Sequence, residues 1–486
     1  MKRKIAIIGS GFSALSAACY LAQKGNTVSV FEKNSSLGGR ARQFVKEGFT
    51  FDMGPSWYWM PDVFESFYND FGKSTRDFYK LDRLDPGYQV IFGDNEHIPI
   101  GDSLEKIYAV FEKEEKGSHK KLERFISQAQ DNYNIAIKDL VYRPGISPLE
   151  LITPSTVKKA RLFISTIQKE VYRDFKSDKL RQILQFPVLF LGAKPENTPA
   201  FYNFMNYADF GLGTWHPEGG MHSIVKAIVQ IANSLGVEFH TNATVEKINV
   251  SGTATTTGIR VNGVDIASDI VLSGADYHHS ETLLDTNYRA YSEAYWDKKV
   301  FAPSSLLFYM GLDKKIDYLL HHNLFFDVDF DMHARSIYDA PAWPKEPLFY
   351  ANFPSISDPS MAPKGKETGF ILIPIAPGIE DHPQMREEQF KIVVDRIEKR
   401  TGESISNHIL FSDSYCVNNF VSDYNSYKGN AYGMANTLLQ TAFLRPKLKS
   451  KKVQNLYFTG QLTVPGPGVP PALISGKLVA ELIHKN

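Results

Sequence analysis

Cysteine is nearly absent from this chain. Cys19 and Cys416 are the only two in 486 residues, too few for a disulfide framework or a cysteine-built metal centre, so a reducing cytoplasm is the natural setting. Charge of one sign is missing as well. The 54 Lys+Arg balance 54 Asp+Glu, which argues against nucleic acid as a partner, because phosphate binding needs clustered cations. No window reaches about 18 uninterrupted apolar residues, so no spanning helix is expected. Internal repeats and low-complexity linkers are lacking too. Lys2-Arg3-Lys4 and the mostly apolar stretch to Ala22 have the outline of a signal peptide. Gly9, Ser10, Gly11, Ser13 and Ser16 interrupt it, and they fit a strand, a glycine turn and a helix better.

What is present is core material. The composition is 43% hydrophobic and 22% charged, which excludes global disorder, and the length suggests two or three domains. Aromatics make up 13%, enough for large apolar contacts in cores or around an apolar ligand. Ile5-Ala6-Ile7-Ile8 reads as a strand buried on both faces. Ala14 to Lys24 reads as a helix, and Thr27 to Phe31 as a second strand. From Asp62 to about Asn206 the pattern is helical and charge-rich, with Glu112 to Lys121 as a solvated helix end. An amphipathic helix is expected from Met221 to Leu235, then hairpin-like segments at Val237–Val250 and Thr257–Ile266. Further strands are expected around Ser273, Phe301–Leu312 and Gly369–Ile375. Gln384 to Thr401 is a helix, and Asn455 to Gly476 a strand, a Gly/Pro loop and a last helix. The two ends of the chain read as parts of one discontinuous domain.

Gly9-Ser10-Gly11-Phe12-Ser13-Ala14 matches G-x-G-x-x-G/A. The first glycine permits the tight turn, the second lets backbone approach a pyrophosphate, and the small last residue packs helix on strand. Amides at the helix start face the phosphate. Glu32, with Lys33 beside it, ends the second strand, where a carboxylate accepts ribose hydroxyls. This is a dinucleotide fingerprint shared by FAD and NAD. Gly38-Gly39-Arg40 and Gly54-Pro55 add a second close backbone approach and a guanidinium for the diphosphate.

Together, the glycine turn, Glu32, Gly38-Gly39-Arg40 and Phe51-Asp52-x-Gly54-Pro55 resemble the FAD-binding start of the flavin amine oxidase and phytoene desaturase superfamily. Pro217-Glu218-Gly219-Gly220-Met221, Ala362-Pro363-x-Gly365 and Asn455-Leu456-Tyr457-Phe458-x-Gly460-Gln461 through Pro465-Gly466-x-Gly468-Val469-Pro470 resemble the bacterial-type carotenoid desaturases within it. Ser475-Gly476, Phe443-x-Arg445-Pro446 and His321-His322 match family positions too. The resemblance implies an α/β fold. Its parts are a discontinuous Rossmann-like FAD-binding domain (1–70, 215–290, 445–486), a mixed α+β substrate domain (71–100, 291–444) and a helical cap facing a membrane (101–214). It implies non-covalent FAD, with Gly460, Gln461, Gly468, Val469 and Pro470 along the isoalloxazine and ribityl chain. Gly54-Pro55-Ser56 would lie opposite, and Val245 near the adenine. Val464 stands where the family often has His, which puts a catalytic role there in doubt.

The implied reaction is carotenoid desaturation, on phytoene or a late 1-hydroxy carotenoid, with oxygen or quinone as electron acceptor and the enzyme peripheral to a membrane. The cofactor carries the redox chemistry while the protein positions the apolar polyene and excludes water. No catalytic base is legible. Rivals are an amine or protoporphyrinogen oxidase, a flavin-dependent polyene isomerase or saturase, and a non-catalytic carotenoid carrier. No metal is expected. His278-His279 and His321-His322 are adjacent pairs whose side chains should point apart, without a third ligand. Asp276 is expected to cap a helix, and Arg445 to Lys452 to form a solvated basic connector able to touch anionic lipid.

Overall fold

The computed structural model describes residues 2–189, 192–402, 404–437 and 439–485. The first strand, β1 (Lys4–Ile8), has four buried residues in succession, as a strand covered on both faces requires. It pairs in parallel with β2 (Thr27–Phe31) on one side and Ile270–Ser273 on the other. Leu456–Phe458 and Glu238–His240 complete a five-stranded parallel sheet. Helix α1 (Phe12–Gln23) connects β1 to β2 and is buried from Phe12 to Ala22. A helix that is apolar all round must be enclosed. Small residues make that enclosure tight. Ser16 donates its hydroxyl to the Leu473 carbonyl at 2.8 Å, and a Cβ on Gly476 would lie 2.4 Å from the Ser13 carbonyl oxygen. The final helix, Val469–Lys485, thereby lies directly against α1.

A second, seven-stranded sheet runs in the order Ile409–Tyr415, Ser304–Leu312, Glu367–Ile375, Phe349–Asn352, His322–Phe325, Tyr88–Gly93, Glu96–Ile100. Its neighbours are antiparallel except for His322–Phe325 beside Tyr88–Gly93. On the strand Ser304–Leu312, Leu306, Phe308 and Met310 share a core with Val393, Val394 and Ile397 of the helix Pro383–Thr401. Ser305 and Leu307, on the opposite face, look into a cavity. Helices between Leu104 and Leu189 close that cavity from above.

Two expectations are corrected. Residues 62–206 are not helical throughout, because Leu81–Arg83, Tyr88–Gly93 and Glu96–Ile100 are strands. Tyr88 to Ile91 are buried on both faces, so the period-2 signal that marks a half-exposed strand is absent. The segment Val237–Val250 is not one arm of a hairpin. Glu238–His240 joins the parallel sheet, and Val245–Val250 begins a separate three-stranded antiparallel ribbon with Thr256–Val261 and Val264–Ala267.

Candidate active site

The site begins at the carboxyl end of the parallel sheet, where open α/β sheets place their ligands. Gly11 is the N-cap of α1, and a Cβ there would meet no atom within 4 Å, so the backbone borders open space. Gly39 sits on it: its φ is +56°, and a Cβ would fall 3.1 Å from the Gly11 Cα. Gly38 donates its amide to the Ser10 carbonyl at 3.1 Å and to Ser10 Oγ at 3.2 Å. The two glycine motifs are thus one cradle. Gly9, Phe12 and Ser13 line it as well. Ala14 does not. It lies behind the turn, where a Cβ on Gly274 would come within 2.7 Å of its methyl.

Glu32 is buried at the end of β2. Oε2 accepts the Ser10 amide at 3.0 Å and its hydroxyl at 2.7 Å, and Oε1 accepts the Asn34 amide at 2.9 Å and Nδ2 at 2.8 Å. The Ser10 hydroxyl and the Asn34 side chain can rotate away for a ribose, whereas the two backbone amides are fixed. Lys33 donates Nζ to Asn425 Oδ1 at 3.2 Å, and Val245 lines the same end beyond Ala243 and Thr244. Arg40 is held by Ser426 Oγ at 3.0 Å and the Asn430 carbonyl at 3.2 Å, with the Tyr424 ring 4.9 Å away. Its Nε has no hydrogen-bond partner, and burial lowers its pKa, a bias that the facing Asp276 opposes. An unpaired buried guanidinium N–H fits an absent anion. Asp276 caps the helix Tyr277–Thr282 as expected, accepting the His279 amide at 3.3 Å.

Further in, Gly54, Pro55 and Ser56 form one wall and Gly460, Gln461, Gly468, Val469 and Pro470 another. The first is anchored by Asp52, whose carboxylate accepts the Met221 amide at 2.6 Å and the His222 amide at 3.2 Å. Two motifs far apart in sequence therefore meet on one side chain, and burial pushes the pKa of that carboxyl up to about 6. The second wall is held by Ser475 Oγ, which accepts the Gly460 amide at 3.1 Å, and by Arg445. Arg445 is 2% exposed and donates to the carbonyls of Met434 at 2.7 Å and Gln461 at 3.1 Å. The expected solvated connector is thus wrong at its first residue. Lys447 is also engaged, giving Nζ to the carbonyls of Gly145 at 2.6 Å and Phe443 at 2.8 Å.

The cavity has a volume of about 760 Å³ and continues past these walls between Trp57, Trp59, Phe186, Phe201, Phe204 and Tyr350. Val464 lines it and adds an apolar patch. Trp57 stacks on His322 with ring centroids 4.1 Å apart, and Tyr350 gives its hydroxyl to Ser56 Oγ at 3.0 Å. The His321 and His322 rings do not point apart as expected, because they touch edge to face at 4.3 Å. Burial holds both imidazoles well below their ordinary pKa and keeps them neutral. Among the described residues no group of three His, Cys, Asp or Glu side chains could hold a metal ion. Both cysteines are buried and neither lines the cavity. The sequence reading missed Ser10, Asn34 and the aromatic wall. The run Trp57-Tyr58-Trp59, directly after Gly54-Pro55-Ser56, was the one available signal for that wall.

A parallel sheet with a glycine cradle, a buried carboxylate after β2 and a second sheet flooring an apolar chamber defines a flavin-dependent oxidoreductase. A model of the flavin containing amine oxidoreductases matches residues 12–484, and the chain belongs to that family. Its cofactor is FAD. The carotenoid 3,4-desaturase of Haloarcula japonica is 41% identical over 99% of this chain and 98% of its own length. The zeta-carotene-forming phytoene desaturase of Myxococcus xanthus is 31% identical over 99% of this chain and 93% of its own. Among solved structures, an oxidoreductase from Methanosarcina mazei shares the fold with a TM-score of 0.65 at 17% identity, covering 98% of this chain and all of that one.

Proposed function

We propose that the protein is an FAD-dependent carotenoid desaturase that introduces C=C bonds into an acyclic polyene. The observation that carries this reading is the continuity of the cavity, which is lined both by the Gly9–Gly11 turn and by the aromatic chamber of Trp57, Trp59, Phe186, Phe201 and Phe204. The named relatives act on carotenoids, and such a chamber suits them. Bound FAD supplies a two-electron acceptor, with oxygen or a quinone taking the electrons onward. Gly9, Gly11, Gly38, Gly39 and Arg40 would hold the diphosphate, Glu32 the ribose, and the two inner walls the isoalloxazine. The protein's own work is to exclude water and to press a C–C bond against that ring, because a polyene offers no polar handle there. Incubating FAD-loaded protein with phytoene and partly desaturated polyenes tests the reading. A product whose absorption bands move to longer wavelength is expected. Bands that keep their position would favour isomerisation or simple carriage.

The substrate must arrive from lipid. Residues 143–164 contribute Arg143, Gly145, Glu150, Leu151 and Phe163 to the cavity lining. The same segment leaves Ile146, Leu149, Ile152, Val157 and Ile164 between 61% and 80% exposed. Lys158, Lys159 and Arg161 lie among them, and Lys447 ties the basic run to Gly145. We propose that this rim rests reversibly on a bilayer. Burying its apolar side chains gives about 25 cal/mol per Å², and each nearby cation adds roughly 1 kcal/mol with anionic lipid. Among the described residues no helix is long and apolar enough to cross a membrane. Liposome flotation should capture the protein, more strongly on anionic vesicles at low salt, and Leu149→Asp with Ile164→Asp should release it. Failure to float under every condition would overturn the attachment.

A further inference from the structure

Beyond the edge strand Ile409–Tyr415 the chain leaves the second sheet through the helix Val417–Tyr424. That helix stops at Asn425, whose φ of +50° is a left-handed turn that asparagine tolerates. Lys428 and Gly429, at +53° and +62°, turn the chain again, and the Gly429 carbonyl is fixed by Ser304 Oγ at 2.6 Å. The stretch 422–430 is therefore a strap tied back to the second sheet at both ends.

What the strap lies across is the cofactor cradle. Lys33 gives Nζ to the Ser422 carbonyl at 2.5 Å and to Asn425 Oδ1 at 3.2 Å, and Asn34 gives Nδ2 to the Asp423 carbonyl at 3.1 Å. Arg42 forms an ion pair with the Asp423 carboxylate. The Tyr424 ring centroid is 4.9 Å from the Arg40 guanidinium carbon and 5.3 Å from that of Arg42. Ser426 and Asn430 hold Arg40 itself, and Asp276 accepts the Tyr427 amide at 3.3 Å. These anchors follow directly on Glu32 and on Gly38-Gly39, apart from Asp276, which faces Arg40. Asp423, Tyr424 and Asn425 line the same cavity as the glycine turn.

Polar contacts hold the strap to the cradle. From Val421 to Lys428 only Ser426 is buried. Water can replace such contacts as they part, so a segment of this kind opens locally while the core stays folded. The Arg42–Asp423 pair is the strongest tie, because its side chains are 11% and 30% exposed and their charges are screened less than those of a surface pair. We infer that residues 422–430 are a further part of the cofactor site, a clasp over the adenosine and diphosphate, and that Asp423 is a positioning residue that latches it through Arg42. A closed clasp bars entry as well as escape. Its opening sets the rates of FAD loading and release alike, while the affinity stays that of the cradle. This rests on the placement of FAD proposed above.

The test follows FAD itself. Quenching of flavin fluorescence on mixing apoprotein with FAD reads loading, and recovery of fluorescence on diluting the holoprotein reads release. Asp423→Asn keeps the shape of the side chain and removes its charge, so both rates should rise about tenfold, the size of one lost charge-assisted bond. The dissociation constant should stay within about threefold, because opening enters both directions equally. Asp423→Glu restores the charge and should keep both rates within about threefold of wild type. Lys33→Met loosens a second tie and should speed loading and release in parallel. Unchanged rates in Asp423→Asn and Lys33→Met, or faster release with loading unchanged, would overturn the clasp. Gly39→Val separates the clasp from the placement of FAD. If that change abolishes loading while the clasp variants alter nothing, the placement stands and the clasp falls. If Gly39→Val alters nothing either, FAD lies elsewhere and both fall.

Discussion

The two ends of the cavity are built on different principles. At the cofactor end backbone sets the shape, through Gly11, Gly39 and the amides around Ser10 and Asn34, and polar side chains such as Glu32, Arg40 and Asp276 surround it. At the substrate end the surface is made of large side chains from the second sheet, the Trp57 segment and the closing helices. A backbone-defined surface tolerates almost no added atom, whereas a wall of aromatics can be trimmed and keep its outline. The lesson is that cofactor binding and substrate choice should respond to substitution almost independently.

The strongest way to break that contrast is Gly39→Val. A side chain there meets the Gly11 backbone at a positive φ that branched residues avoid, so flavin retained after gel filtration should fall by roughly a hundredfold. Full retention would show that the cradle is softer than its geometry. Next is Glu32→Ala, expected to weaken FAD by at least about tenfold, because charge-assisted bonds to ribose are lost and the Ser10 and Asn34 amides lose their acceptor. Unchanged occupancy after dialysis would make Glu32 a brace for the turn alone.

A third test probes the substrate end through pH. Asp209 is fully buried with Tyr88 as its partner at 2.7 Å, and Tyr88 contacts Trp57 and Phe186 of the chamber wall. Burial pushes its pKa up to about 8, so the folded state holds a proton that the unfolded chain releases near its ordinary 3.8. Stability from this group is complete below about pH 4 and is lost as pH rises towards about 8. Asp209→Asn should flatten that part of the Tm–pH curve, and an unchanged slope would assign it to other carboxyls. The smallest effect is expected from Phe186→Leu, a few-fold change in polyene kcat/KM with full flavin content. Loss of flavin there would join what the comparison separates.

Legibility follows the same divide. The glycine turn, Glu32 and the C-terminal Gly/Pro loop could be read because backbone constraints leave few residue choices at fixed spacings. Asp52 was visible as part of a motif, but its bonds to the Met221 and His222 amides depend on a fold that brings distant segments together. The chamber was opaque. Phe186, Phe201 and Tyr350 are ordinary core residues in sequence, and only packing decides which of them face a void. Arg445 misled because a cation in a basic run looks solvated, while its burial is set by carbonyls of residues 434 and 461.

The parallel sheet takes its last strand from Leu456–Phe458, and the helix behind α1 comes from Val469–Lys485. Until those residues leave the ribosome, the strand Ile270–Ser273 has an open edge and α1 an uncovered apolar flank. The nucleotide fold is therefore begun by Lys4–Ile8 and completed only by Leu456–Phe458 and the helix that follows it. Flavin loading must follow synthesis of those segments, and a ribosome stalled before residue 456 would hold a chain that exposes sticky surface to its neighbours.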